Sequence, residues 1–110
     1  MRYAVSGTLS PDATTADSGE AAGTYNGQPY WMWTNDAGTW YLYKPSANWY
    51  IANSLDGIQT KVWNGGESIV GTYAPDPLTG ATGTATVTKI DEYIAVRWRL
   101  SGEITVLKMR

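Results

Sequence analysis

The sequence predicts an all-β fold, an antiparallel hairpin meander closing into a small sandwich or barrel and ending in a three-strand C-terminal meander. Three observations carry this. Apolar residues nowhere recur at helical spacing over three turns, while Gly and Thr, both poor in helix interiors, occur throughout. Turn signals fall roughly every 8 to 12 residues, the spacing of hairpin architectures. Between them lie short runs in which large rings alternate along the chain, "QPYWMWTN", "TWYLYKP" and "WYIANSL".

The first run, "RYAVSGTL", reads as a strand that could offer an edge to an incoming chain. Asn26-Gly27 can take the positive φ angles of a type I′ turn and should join "AAGTY" to "QPYWMW". In that register Tyr25 faces Gln28 and Thr24 faces Pro29 in a pair that exchanges no hydrogen bonds, so the N–H that proline lacks is not missed. "NDAG" and "PSAN" make the next two turns. Trp40-Tyr41-Leu42-Tyr43 and Trp49-Tyr50-Ile51-Ala52 read as two copies of one strand type, and Gly23-Thr24-Tyr25 is echoed by Gly71-Thr72-Tyr73.

"APDPLTGATG" must be irregular. After it "TATVTKI", "YIAVRWRL" and "EITVLKM" form a conventional meander, with Ile94, Val96, Trp98 and Leu100 on a core face and Tyr93, Ala95, Arg97 and Arg99 on a wet one. One domain spanning 1–110 is expected, with an aromatic hairpin unit at 20–74, an irregular linker at 75–83 and the C-terminal meander at 84–110.

Composition narrows the chemistry. Hydrophobic residues make up 43% and charged residues 16% of the 110, a globular balance. No apolar run is long enough to cross a bilayer, and the start has no secretory h-region, so neither membrane insertion nor classical export is expected. The absence of Cys excludes disulfides and thiolate metal sites. A net charge of −2 gives no field for a polyanion, so nucleic acid is not an expected partner. Arg97, Arg99, Lys108 and Arg110 are balanced locally by Asp91, Glu92 and Glu103.

No His is present to serve a triad or a metal, and neither S-x-x-K, G-x-S-x-G nor a phosphate loop appears. A glycosidase-like carboxylate pair would need two acids to meet, yet Asp36, Asp56, Asp76 and Asp91 all sit in turn contexts. The expectation is a protein that is not an enzyme and takes no cofactor or metal.

The rings point elsewhere. Six Trp, eight Tyr and no Phe mean that every aromatic side chain carries a polar handle. Strand alternation puts Tyr30 and Met32 opposite Trp31 and Trp33, and Trp40 and Leu42 opposite Tyr41 and Tyr43, so both sheet faces are aromatic. Rings can simply be core and cross-strand residues. Two aromatic faces, however, exceed what one core needs, and the surplus predicts an interaction surface built from Trp31, Trp33, Tyr41, Tyr43, Trp49 and Trp63.

The order G-T-Y-N-G-x-P-Y, W-Y-L-Y, W-Y-I, then a second G-T-Y, resembles the short Tyr/Trp-rich β-repeat modules of tailed-bacteriophage structural proteins and large multi-module microbial proteins, over about residues 20 to 88. The resemblance carries Tyr25, Asn26, Gly27, Pro29, Tyr30, Trp40, Tyr41, Trp49 and Tyr50 as framework positions. It implies a virion structural or decoration protein, made in the host cytoplasm, whose partners are virion proteins or further copies of itself in a homo-oligomer. The alternative expectation is a carbohydrate-binding module, with Trp31, Trp33 and Tyr41 stacking on sugar faces and Asn35 or Asp36 bonding hydroxyls.

Overall fold

The computed structural model describes residues 1–90. Within them eight strands form: β1 (Tyr3–Gly7), β2 (Gly23–Tyr25), β3 (Gln28–Asn35), β4 (Gly38–Tyr43), β5 (Trp49–Ala52), β6 (Val62–Gly66), β7 (Gly71–Pro75) and β8 (Ala85–Lys89). They make one antiparallel sheet in the order β1-β8-β7-β6-β5-β4-β3-β2, curled into a half-barrel. From β2 to β8 the chain is a plain meander, and β1 alone is out of sequence order. No helix among the described residues is long and apolar enough to cross a membrane. The expected strands "YIAVRWRL" and "EITVLKM", the core face around Trp98 and the Arg97–Arg110 cluster lie outside the described residues.

The β2–β3 turn forms as its chemistry requires, with φ of 54° at Asn26 and 79° at Gly27 and the pairs Tyr25 with Gln28 and Thr24 with Pro29. Ladder pairing of β3 with β4 begins only at Trp31, so Pro29 leaves no gap in it. The Trp-Tyr-Leu-Tyr and Trp-Tyr-Ile-Ala runs are adjacent strands with Leu42 opposite Ile51 and Tyr43 opposite Tyr50. The other echo holds for the backbone, since both triplets open strands, but not for burial. Tyr25 lies partly buried against the outer cluster of rings, whereas Tyr73 is wholly sealed in the core.

One expectation holds in outline and one needs correction. The expected linker at 75–83 is irregular after Pro75 and closes the β7–β8 hairpin, whose strands pair directly, with β8 then pairing with β1. The strand β1, however, is not an open edge. Its free side is taken by residues 13–18 of its own chain: the Val5 N–H donates to the Thr15 carbonyl and Thr15 returns the bond, while the Ser18 N–H donates to the Tyr3 carbonyl.

The core fills the hollow of the half-barrel. Trp31, Trp33, Trp40, Leu42, Ile51, Trp63, Tyr73, Ala85 and Val87 point inward from β3 to β8. Tyr3 and Val5 of β1, with Leu9 and Ala13 of the segment after it, close the top. Close backbone approach locks that segment to β8. A Cβ on Gly83 would overlap the Thr8 carbonyl, and one on Gly7 would overlap the Thr84 carbonyl.

Candidate interaction face

Alternation along β3, β4 and β5 divides the rings into two populations. Four handles of the inner population are aimed at irregular segments. The Trp31 indole N–H donates to the Met1 carbonyl at 3.0 Å and that of Trp33 to the Ala13 carbonyl at 3.1 Å. Trp63 donates to the Thr82 carbonyl at 3.1 Å, and the Tyr73 hydroxyl donates to the Ile69 carbonyl at 2.7 Å. Trp40 donates to Asn35 Oδ1, while Asn35 Nδ2 donates to the carbonyls of Asp12 and Thr14. The indoles therefore fasten the segment around residues 12–15 and the β7–β8 loop to a sheet neither belongs to. Phe is apolar too but would donate nothing, and would leave carbonyls such as that of Ala13 without a donor.

The predicted surface thus divides. Trp31, Trp33, Trp49, Trp63 and Tyr43 are buried in this chain, between 0% and 8% exposed, and present no platform to a partner. Their surplus over an ordinary core is absorbed because the half-barrel hollow is wide and takes rings from six strands, with smaller side chains from β8 and from the strap of residues 8–18 that follows β1. Tyr41 alone of the six keeps an exposed part, and it projects from the opposite side of the sheet to Trp31 and Trp33. A sugar platform of Trp31, Trp33 and Tyr41 is therefore excluded by geometry. Asn35 has no capacity left for a ligand: both amide hydrogens are donated, and Oδ1 accepts from the Ala37 N–H and from Trp40. Asp36 stays exposed at the hairpin tip.

What remains is a convex tyrosine face. Tyr25, Tyr30, Tyr41 and Tyr50 are half-buried and pack with Leu55 over Tyr43, Ala52 and Val62. Tyr25 meets Tyr43 edge-on at 5.5 Å, Tyr43 meets Tyr50 edge-on at 6.2 Å, and Tyr30 lies tilted beside Tyr41 at 6.4 Å. Met32, 44% exposed, stands opposite Tyr41. The remaining outward positions of β3 to β6 are Gln28, Thr34, Thr39 and Asn64, so the outward side of these strands carries no charged residue. The buried Tyr43 hydroxyl is held by the amide of Gln59, which also donates to the Ser54 carbonyl. By contrast, the hydroxyls of Tyr25, Tyr30, Tyr41 and Tyr50 have no hydrogen-bond partner among the described residues.

Burial pushes the phenols of Tyr3, Tyr43 and Tyr73 above the ordinary tyrosine range, most strongly for Tyr73. Hydrogen bonds from Thr14 hold the Asp12 carboxyl below the usual range. Neither perturbation lies in a cleft with a second reactive group. An open hollow of about 350 Å³ lies at the loop end, against Pro11, Thr39, Trp40, Asn53 and Lys61. Its Asn53 is already committed to Thr60 and Lys61. Among the described residues no three acidic, His or Cys side chains converge as a metal site would require.

Fold and face together define an aromatic-cored β half-barrel with an uncharged tyrosine face. Compared with protein-family models, curated proteins and solved structures, the chain matches none.

Proposed function

We propose that the chain is a non-enzymatic structural module that docks on protein through its convex tyrosine face, as a decoration or structural component of a virion. One observation carries the docking: half-buried phenols gathered on an uncharged sheet face, with hydroxyls that no described residue bonds. Tyr is enriched where a ring is buried and its hydroxyl meets a partner, and charge is depleted at the centre of protein interfaces. The virion setting is supported by the likeness of the G-T-Y-N-G-x-P-Y and W-Y-L-Y strings to phage modules.

Sugar stacking is less well served. Neighbouring phenols stand at 80°, 85° and 45° to one another, so they do not present a shared plane to a row of sugar rings.

The test is a triple variant, Tyr30→Ser, Tyr41→Ser and Tyr50→Ser, compared with the parent by sedimentation at micromolar concentration, alone and with virion particles. The parent should associate and the folded variant should not. A parent that stays a strict monomer and binds no particle would sink the proposal. Binding on a glycan array that the variant loses would replace it with the sugar reading.

A further inference from the structure

We infer that residues 1–18 are an exchangeable arm, and that the trough they fill also accepts the same arm from a second copy of this chain. The inference is independent of the tyrosine face.

The arm is held as a peptide ligand is held. β1 adds a strand to β8 in the register Tyr3 with Lys89 to Gly7 with Ala85. Beyond it, Leu9 and Ala13 drop into the aromatic hollow, at 6% and 0% exposure. Most polar contacts from the sheet go to the arm's main-chain carbonyls: Trp31 to Met1, Trp33 to Ala13, and Asn35 to Asp12 and Thr14. Such main-chain capture with side-chain pockets is the logic of β-strand addition. Every one of these contacts is the same whether the arm comes from its own chain or another.

The connection, in contrast, is slight. Glu20, Ala21 and Ala22 are exposed, and Gly19 has a φ of +74°. Their bond to the body is the Ala22 N–H to the Tyr30 carbonyl, while the ion pair of Glu20 goes to the Met1 amine of the arm itself. The arm cannot simply leave, because the trough would then expose Trp31, Trp33 and Trp63 to water. Replacement by an equivalent arm preserves every buried contact, which makes exchange the low-cost alternative to opening. A short connection gives the chain's own arm an effective concentration on the order of 1 mM, so exchange dominates only where copies are crowded to that level.

The cysteine-free sequence permits a direct test. Ala4 and Thr88 are register partners outside the core. Antiparallel partners of this kind lie about 5.5 Å apart at Cα, within disulfide reach. Two single variants, Ala4→Cys and Thr88→Cys, are unfolded, mixed, refolded at protein concentrations from about 10 μM to about 1 mM, bracketing that effective concentration, and then oxidised. The expected result is an intermolecular disulfide whose yield rises at least severalfold across the range and exceeds that of a control pair, Ala47→Cys with Thr88→Cys. A yield equal to the control at every concentration would overturn the inference. The double variant in one chain must close internally at low concentration, and its failure to do so would overturn the β1–β8 pairing on which exchange depends.

Discussion

The concave and convex faces of the sheet are both lined with rings, and they use them in opposite ways. On the concave side most aromatic handles are spent within the molecule, the indoles of Trp31, Trp33, Trp40 and Trp63 each donating to an acceptor at 3.0–3.1 Å. On the convex side the phenols pack against one another and leave four hydroxyls without a partner among the described residues. Residue type follows the difference: Trp points in and Tyr points out along β3, β4 and β5. Aromatic richness alone is therefore a poor marker of a binding surface, and the informative quantity is where the polar end of each ring goes.

Truncation should separate the faces most widely. Trp40→Ala is expected to cost about 3–5 kcal/mol, enough to unfold much of a marginally stable domain, whereas Tyr41→Ala should cost about 1 kcal/mol or less. Urea denaturation measures both, and equal losses would erase the distinction between the faces.

Glycines sharpen it next. Gly83, at φ +78°, meets the Thr8 carbonyl, so Gly83→Ala combines backbone strain with overlap and should cost about 2–5 kcal/mol. Gly27, at φ +79°, faces open space, so Gly27→Val should cost only the strain of its conformation, about 1–2 kcal/mol. Thermal melts of the two variants would rank them, and the reverse order would contradict the clamping of the strap onto β8.

Handles can be removed with the rings left in place. Trp33→Phe leaves the buried Ala13 carbonyl without its donor and should cost about 1–3 kcal/mol. Tyr41→Phe should change stability by less than about 0.5 kcal/mol while weakening association. A stability loss for Tyr41→Phe equal to that of Trp33→Phe would mean the convex hydroxyls are structural after all.

The smallest effect near neutrality is on pH dependence. Burial raises the phenol of Tyr73, so the folded state favours its neutral form more than the unfolded state does. That stability is fully present below the ordinary tyrosine pKa of about 10 and is lost as pH rises above it toward the raised folded value. Denaturation midpoints taken from pH 8 to 11.5 should hold level and then fall, and Tyr73→Phe should flatten the fall. A midpoint independent of pH throughout would contradict the sealed position of Tyr73.

The meander was legible in the chain because its signals are local. Asn26-Gly27 dictates a two-residue turn, and the alternation in "YWMW" and "WYLY" assigns each ring to a side of its strand. β6 gave little sign, since "VWNGG" combines one large ring with residues that usually mark a turn, and Gly65 is small because the Tyr73 ring lies across it. The candidate face was half legible: Tyr41 was named for it, but Tyr25, Tyr30 and Tyr50 were not, while five buried rings were. Alternation separates two faces without saying which one becomes the core.

The sequence by itself determined that the protein is all-β, that its hairpins turn where they do, and that rings divide between two sides of each strand. All of this follows from interactions within a few residues, where backbone sterics and a period of two leave little choice. Only the tertiary structure decided which way the sheet curls, and hence that the indoles close inward on carbonyls of a strap such as that of Ala13, twenty residues away in the case of Trp33. No local pattern encodes that meeting, because a carbonyl waiting for a donor looks the same at every position of the chain until the sheet bends over it.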